Sequence, residues 1–201
     1  MDLIFDAQSY YQEIDRLNLT EHFLELDLLP REWWKLRWIP NPESVSTHTL
    51  WAILLVLRYK TELEALWADI QTMQLILLLH DVQEKEEWVG DITPHCNITS
   101  EEKKRREVTA IERILKDRPD LLKLWYDYTE KRTLEWRLCK EIDKLDAIEV
   151  AWIYERKYSR THPESVRWLV EEFYASSVIK KKQIQTAFLL ARAEELYGAK
   201  E

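Results

Sequence analysis

Three short stretches of this sequence carry side chains that could work together. The first ends in His48, within Pro42-Glu43-Ser44-Val45-Ser46-Thr47-His48. The second is His80-Asp81, which closes the apolar run Leu75-Ile76-Leu77-Leu78-Leu79 and is followed at Glu84 by another carboxylate. The third is Asp143, set on the shoulder of a long amphipathic pattern with Cys139, Ala147 and Val150. Unbroken Leu and Ile imply burial, so His80 and Asp81 are delivered to the rim of a core rather than to open solvent. A buried carboxylate needs a cation or a full set of hydrogen bonds. The ordinary role for His80-Asp81 is capping a helix end, and Lys140 or Lys144 is the ordinary partner for Asp143. A metal ion would serve all four residues at once. Two imidazole nitrogens and two carboxylate oxygens suit a divalent transition metal. Four protein ligands close a tetrahedral zinc site, whereas an octahedral ion keeps two positions for water and substrate. The set therefore points to one catalytic ion, Mn, Co or Fe before Mg, with Zn as the alternative. On a continuous helix Glu84 would stand one turn from His80 and project beside the pair.

The elements that must position these groups read as helices. Asn41-Pro42-Glu43 has the form of a helix start, and the run that follows, through Leu57, turns apolar after His48. A further helix is expected from about Glu62 to Gln83, and Gly90 is the candidate for a positive φ in the turn Trp88 to Pro94. Thr99-Ser100-Glu101-Glu102 forms a capping box that opens a helix to about Lys116. Pro119 ends that segment; helices over about Asp120–Lys131 and Thr133–Tyr158 follow, the latter with Leu138, Ile142, Leu145, Ile148 and Trp152 as its core stripe. One or two short helices precede Pro30 within residues 6–28, and C-terminal helices are expected over 164–197. Arg31 to Pro40, bracketed by prolines and lacking a clean period, reads as a loop rich in Trp and basic residues.

Composition narrows the function classes. The 201 residues suit a single domain, 1–201, without internal repeat or linker. Only two glycines occur, Gly90 and Gly198, which disfavours glycine-rich phosphate loops and turn-dense sheets and favours an all-α fold. A net charge of −8 argues against binding a nucleic-acid polymer, though not against a small anion held by a metal and a few local cations. Two cysteines, Cys96 and Cys139, form neither a disulfide framework nor a zinc-knuckle spacing. With no signal-peptide pattern and no apolar run of membrane-spanning length, the expected setting is cytoplasmic, without a membrane.

Five ordered blocks, spanning about residues 30–155, resemble the HD-domain metal-dependent phosphohydrolases, most closely their 5′-deoxynucleotidase branch. They are Pro42 to His48; His80-Asp81 with Glu84; Gly90-Asp91-Ile92-Thr93-Pro94; Glu101 to Glu107; and Lys140 to Asp146. The resemblance implies an all-helical HD-domain bundle and a divalent ion held by His48, His80, Asp81 and Asp143. It implies a catalytic acid at Glu84, a supporting acid at Asp91, and substrate contacts from Arg31 and Trp34, with Trp33 as the alternative register. The segment between His80-Asp81 and Gly90-Asp91 is about two residues longer than the family pattern, which leaves Glu86 or Glu87 as alternatives to Glu84. The implied substrate is a deoxynucleotide. A monophosphate is the first choice; a triphosphate, cleaved by a viral-type triphosphohydrolase, would need further cations, for which Lys103, Lys104, Arg105 and Arg106 stand ready unless they pair with Glu101, Glu102 and Glu107. The reading from another class is a helical interaction protein with a structural metal. Family members often form homodimers, so a homo-oligomer is expected.

Overall fold

The protein is described by a computed structural model covering residues 20–86, 88–92, 98–130 and 132–199. The helices are α1 (Thr20–Asp27), α2 (Glu32–Leu36), α3 (Val45–Arg58), α4 (Lys60–Ala65), α5 (Ile70–Leu79), α6 (Ser100–Ile114), α7 (Pro119–Thr129), α8 (Leu134–Tyr158), α9 (Pro163–Val166), α10 (Leu169–Tyr174) and α11 (Ala187–Gly198). A 3₁₀ turn, Val82–Lys85, follows α5, and a π-helical turn, Ala175–Lys180, extends α10. Among the described residues there is no strand, only an isolated bridge between Pro30 and Ser44. The fold is all-α, as expected.

The axis of the bundle is α8. Thr133 caps it by accepting the Trp136 N–H. Leu138, Ile142, Leu145, Ile148 and Ala151 are fully buried along it, and α3, α5, α7, α10 and α11 pack around it. Each such leucine or isoleucine contributes about 1.5–3 kcal/mol relative to an exposed position. A helix covered on nearly every side keeps a fixed register, and that fixes where Asp143 and Asp146 stand.

Three local readings differ from expectation. The loop expected over Arg31–Pro40 contains α2, because Trp34 turns inward and is buried against Tyr154 and Phe173. Helix α3 starts at Val45 rather than near Pro42, with Ser44 as the cap that accepts the Thr47 N–H. The cause is pairing with the chain before α2: Arg31 N–H donates to Glu43 O, Val45 N–H donates to Leu29 O, and Asn41 takes a φ of 50°. The helix expected over Glu62–Gln83 is broken at Trp67, where φ is 64°, and restarts with Asp69 as a cap for Thr72. It ends at Leu79. Elsewhere the turn chemistry holds: Thr99 accepts the Glu102 N–H to open α6, and Gly90 has φ +64°. Nothing lies within 4 Å of a Cβ built there, so backbone conformation alone selects glycine. Residues 6–19 of the expected N-terminal helix, together with Thr93, Pro94 and Cys96, lie outside the described residues. Cys139 is buried, its thiol donating to Met73 O. No described helix is long and apolar enough to cross a membrane.

Candidate metal centre and active site

Helices α3, α5 and α8 bring the candidate ligands to one point. His48 Nε2 lies 3.3 Å from His80 Nε2, 3.7 Å from Asp81 Oδ2 and 3.2 Å from Asp143 Oδ1. His80 Nε2 is 3.0 Å from Asp81 Oδ2. His48, His80 and Asp81 form one compact group, and Asp143 joins it through the His48 nitrogen, its other oxygen held by Lys144 Nζ at 2.9 Å. Neighbouring donors around an octahedral ion with bonds of about 2.1 Å would stand about 3 Å apart, the same scale.

The backs of the two rings decide what the front can hold. His80 Nδ1 lies 2.6 Å from the Leu77 carbonyl, which can only accept, so that nitrogen carries the hydrogen. His48 Nδ1 lies 2.6 Å from Asp146 Oδ2, and the carboxylate fixes the same tautomer. Both Nε2 atoms therefore turn lone pairs toward each other and toward two carboxylate oxygens. Four acceptors facing one another without a donor repel unless a cation sits among them. The residues present fit a divalent ion.

Electrostatics say the same. Burial and the charge of Arg31 disfavour a protonated His48, yet Asp143 and Asp146 outweigh them and raise it from 6.5 to about 9. Burial would raise Asp81, but His80, His48 and Arg31 prevail and hold it well below the usual carboxylate range. Burial likewise opposes ionisation of Asp143, and Lys144, His48 and Lys140 overcome it.

Around this point stand the other expected residues. Arg31 Nη1 is 3.5 Å from Asp81 Oδ2 and its Nε is 3.5 Å from Asp91 Oδ2. Asp91 also accepts the Glu32 N–H at 2.7 Å, so it anchors the start of α2 and steadies the guanidinium. Burial weakens the charge on Arg31, but Asp91, Asp81, Glu84 and Asp143 more than restore it. Glu84 lies buried in the 3₁₀ turn, its Oε2 without a hydrogen-bond partner among the described residues. Burial, then Asp81 and Asp91, push its carboxyl well above the usual range, opposed by Arg31 and Lys103. Of the alternatives, Glu86 is engaged by Arg113 through both oxygens, and Glu87 lies outside the described residues.

Two expected substrate contacts are occupied otherwise. Trp34 is 2% exposed and its indole N–H donates to Glu43 Oε1, so in this geometry it braces the start of α3 and offers no face to a ligand. Trp33 packs edge-on against Phe173, with Arg37 over its ring. Lys103 Nζ donates to Ile92 O and lies 3.6 Å from Glu107. Asp146 had only its place near the Asp143 shoulder as a signal. It stands three residues from Asp143, one helical turn, so one carboxylate meets each nitrogen of the same imidazole.

Comparison with known proteins gives this geometry a family. The HD domain profile matches residues 25–186. The chain belongs to the HD domain family. It is 34% identical over 176 residues to the 5′-deoxynucleotidase HDDC2 of Xenopus laevis, covering 85% of this chain and 82% of that one. It is 31% identical over 144 residues to the 5′-deoxynucleotidase hdd1 of Schizosaccharomyces pombe, covering 67% of this chain and 69% of the relative. Among solved structures, a conserved hypothetical protein from Pyrococcus furiosus superposes with a TM-score of 0.66 at 25% identity, over 90% of this chain and 98% of that one. HD phosphohydrolases use divalent metals, in keeping with the His/Asp group here.

Asp143→Ala should abolish metal retention, whereas Asp146→Asn should keep a site but weaken it roughly 10–100-fold, the usual cost of losing the group behind a metal-ligating histidine. Elemental analysis after dialysis against graded chelator separates the two; full metal content in Asp143→Ala would remove that residue from the site. Metal uptake should also depend on pH. Because folded His48 titrates at about 9, above its ordinary 6.5, uptake below that point must expel a proton. Affinity for Mn²⁺ should weaken about tenfold per pH unit as pH falls from 9, and level off above it. Titration calorimetry in buffers of different ionisation enthalpy measures the released proton directly; none at pH 7 contradicts the assignment.

Proposed function

We propose that the chain is a divalent-metal-dependent 5′-deoxynucleotidase that releases inorganic phosphate from deoxynucleoside monophosphates. What carries this is the convergence of four lone-pair donors beside Arg31 in a chain about one-third identical to proteins with that activity. In the proposal His48, His80, Asp81 and Asp143 hold one ion, with Mn, Co or Fe ahead of Mg and Zn. When bound, the ion polarises a phosphoryl oxygen and lowers the pKa of a coordinated water.

The chain's own residues do the rest. Arg31, fixed by Asp91, offers its guanidinium to the phosphoryl group and offsets charge gathering there. Glu84 accepts the proton of the attacking water. Its buried position makes its carboxylate a stronger base than an exposed glutamate, and Arg31 and Lys103 keep it ionisable. Lys103, close to Glu84 and Glu107, is assigned to the substrate side of the site. Trp34 is assigned to the wall behind Arg31 and reaches a sugar or base only if α2 moves outward.

Substrate length favours the monophosphate. Arg105 is bonded to Glu102 through two nitrogens, and Arg106 bonds Glu102 and the Trp88 carbonyl. Two of the cations that a triphosphate could use are thus engaged elsewhere, which weighs against a triphosphohydrolase. The complete ligand set weighs against an interaction protein with a structural metal. A single domain over 1–201, a homodimer and a cytoplasmic setting complete the proposal; the first rests on the one continuous core, the others on family resemblance and composition.

Glu84→Gln should retain fold and metal and lose roughly 10²–10⁴-fold in kcat, the scale of proton-transfer catalysis. If it stays active while Glu87→Gln is dead, the longer segment before Gly90 has moved the role along the chain. Substrate is tested by offering dAMP and dATP separately with Mn²⁺ or Co²⁺ and identifying the phosphate product. Inorganic phosphate from dAMP is expected. Inactivity on dAMP with triphosphate released from dATP would replace the proposal by its alternative.

A further inference from the structure

Lys140 is a cation at the metal group whose only role so far is to help Lys144 keep Asp143 ionised. It lies one turn before Asp143 on α8, with Nζ 4.0 Å from Asp143 Oδ2. That oxygen is already held by Lys144 at 2.9 Å, so Lys140 is surplus to pairing Asp143. Its ammonium rests 4.5 Å from the centre of the Tyr128 ring, and no hydrogen-bond acceptor reaches it among the described residues. Its side chain is 40% exposed and its stem flexible, so the ammonium can swing from the ring to an anion arriving from solvent. Asp143 and Asp81 attract its charge, while Lys144 and Lys103 repel it. Three ammonium groups share these two carboxylates, and an anion arriving among them relieves their mutual repulsion.

Tyr128 supplies the second observation. It is 3% exposed, its ring stands edge-on to His80 at 6.2 Å, and its hydroxyl has no hydrogen-bond partner among the described residues. That hydroxyl feels the charges of Asp143, Asp81 and Glu107, which places it beside the same group of carboxylates. One rigid ring thus stands edge-on to a candidate metal ligand and carries a cation on its face. Arg31 flanks Asp81; Lys140 flanks Asp143.

We propose that Lys140, seated on the face of Tyr128, is a phosphate-binding residue that grips the nucleotide's phosphoryl group from the Asp143 flank while Arg31 holds the Asp81 flank. This rests on the nucleotidase reading, and it identifies a contact that Asp143 pairing does not explain. A phosphomonoester presents three peripheral oxygens, so two cations on separate flanks can each bind one without competing.

The test compares wild type, Lys140→Met and Lys140→Arg, each loaded with Mn²⁺, using dAMP turnover and equilibrium binding of inorganic phosphate. Lys140→Met keeps an apolar stem over Tyr128 and removes the charge. It should raise KM for dAMP and weaken phosphate binding by roughly 10–100-fold, the scale of a hydrogen bond to a charged group. Its metal content and melting temperature should match wild type, and its KM should respond less steeply to added salt. Lys140→Arg should stay within several-fold of wild type. An unchanged KM and phosphate affinity in Lys140→Met, beside an active wild type, overturns this inference alone. Loss of metal from Lys140→Met, or failure of Lys140→Arg to rescue, also overturns it, since either marks a structural role. A wild type that neither binds nor hydrolyses dAMP overturns the nucleotidase reading and this inference with it.

Discussion

Two imidazoles held from behind impose the main constraint on this molecule. His48 is fixed by Asp146 and His80 by the Leu77 carbonyl, and in each ring the hydrogen is thereby committed to the far side. What remains is a pair of lone pairs 3.3 Å apart inside a protein core, with carboxylate oxygens closing in from Asp81 and Asp143. Such a cluster is unfavourable when empty of charge and favourable around a cation. Folding therefore prepares a cation site, and the buried helices tolerate it because the surrounding apolar contacts are extensive. The arrangement depends on α8 having one register. A slip of a single residue would rotate Asp143 and Asp146 away from His48 together, and the continuous burial from Leu138 to Ala151 prevents that slip.

Charge balance sets the second layer. Asp81, Asp143, Asp91 and Glu84 bring four carboxyl groups into a small volume of reduced dielectric, where each raises the cost of ionising the others. Arg31 answers on one flank and Lys144 with Lys140 on the other. The outcome is uneven. Asp81 and Asp143, nearest the cations and imidazoles, stay ionised, while Glu84, buried with an unpartnered oxygen, is driven toward the neutral form. Groups of one chemical type are thus set apart in their ease of ionisation by position alone, as the proposed metal-holding and proton-accepting roles require.

Much of this was legible in the sequence, and the exceptions have physical causes. The all-helical fold followed from glycine scarcity and apolar periodicity, and the caps at Thr99 and Thr133 are local chemistry that a short window contains. His48 and His80 were legible because each lies where a helix passes between polar and apolar sequence, and Asp143 because it is a carboxylate on the shoulder of an apolar stripe. Less accessible was what depends on distant pairing. Helix α3 starts late because residues 29–31 bond to residues 43–45, a contact no helix propensity reveals. Trp34 is in the core because Tyr154 and Phe173, far along the chain, provide its pocket. The service of Asp146 to His48 needed the three-dimensional register of α8, since an aspartate on a helix shoulder has many ordinary partners.

The turn after Asp81 departs from the helix expected there, yet it still buries Glu84. An unbroken α-helix would set Glu84 beside His80 by simple periodicity. The chain instead leaves the helix at Asp81, with φ −120° and ψ 9°, and tightens into Val82–Lys85. That change turns the Asp81 carboxylate toward the imidazoles, and the Glu84 N–H then donates to the Asp81 carbonyl. A 3₁₀ turn advances about 120° per residue rather than 100°. The tighter winding brings Val82, Gln83 and Glu84 all into the interior. Beyond it the Glu86 carbonyl accepts from both Val89 and Gly90, and its side chain pairs with Arg113. Within this segment Glu86 and Val89 are themselves largely buried, so the segment packs against the bundle beside Glu84.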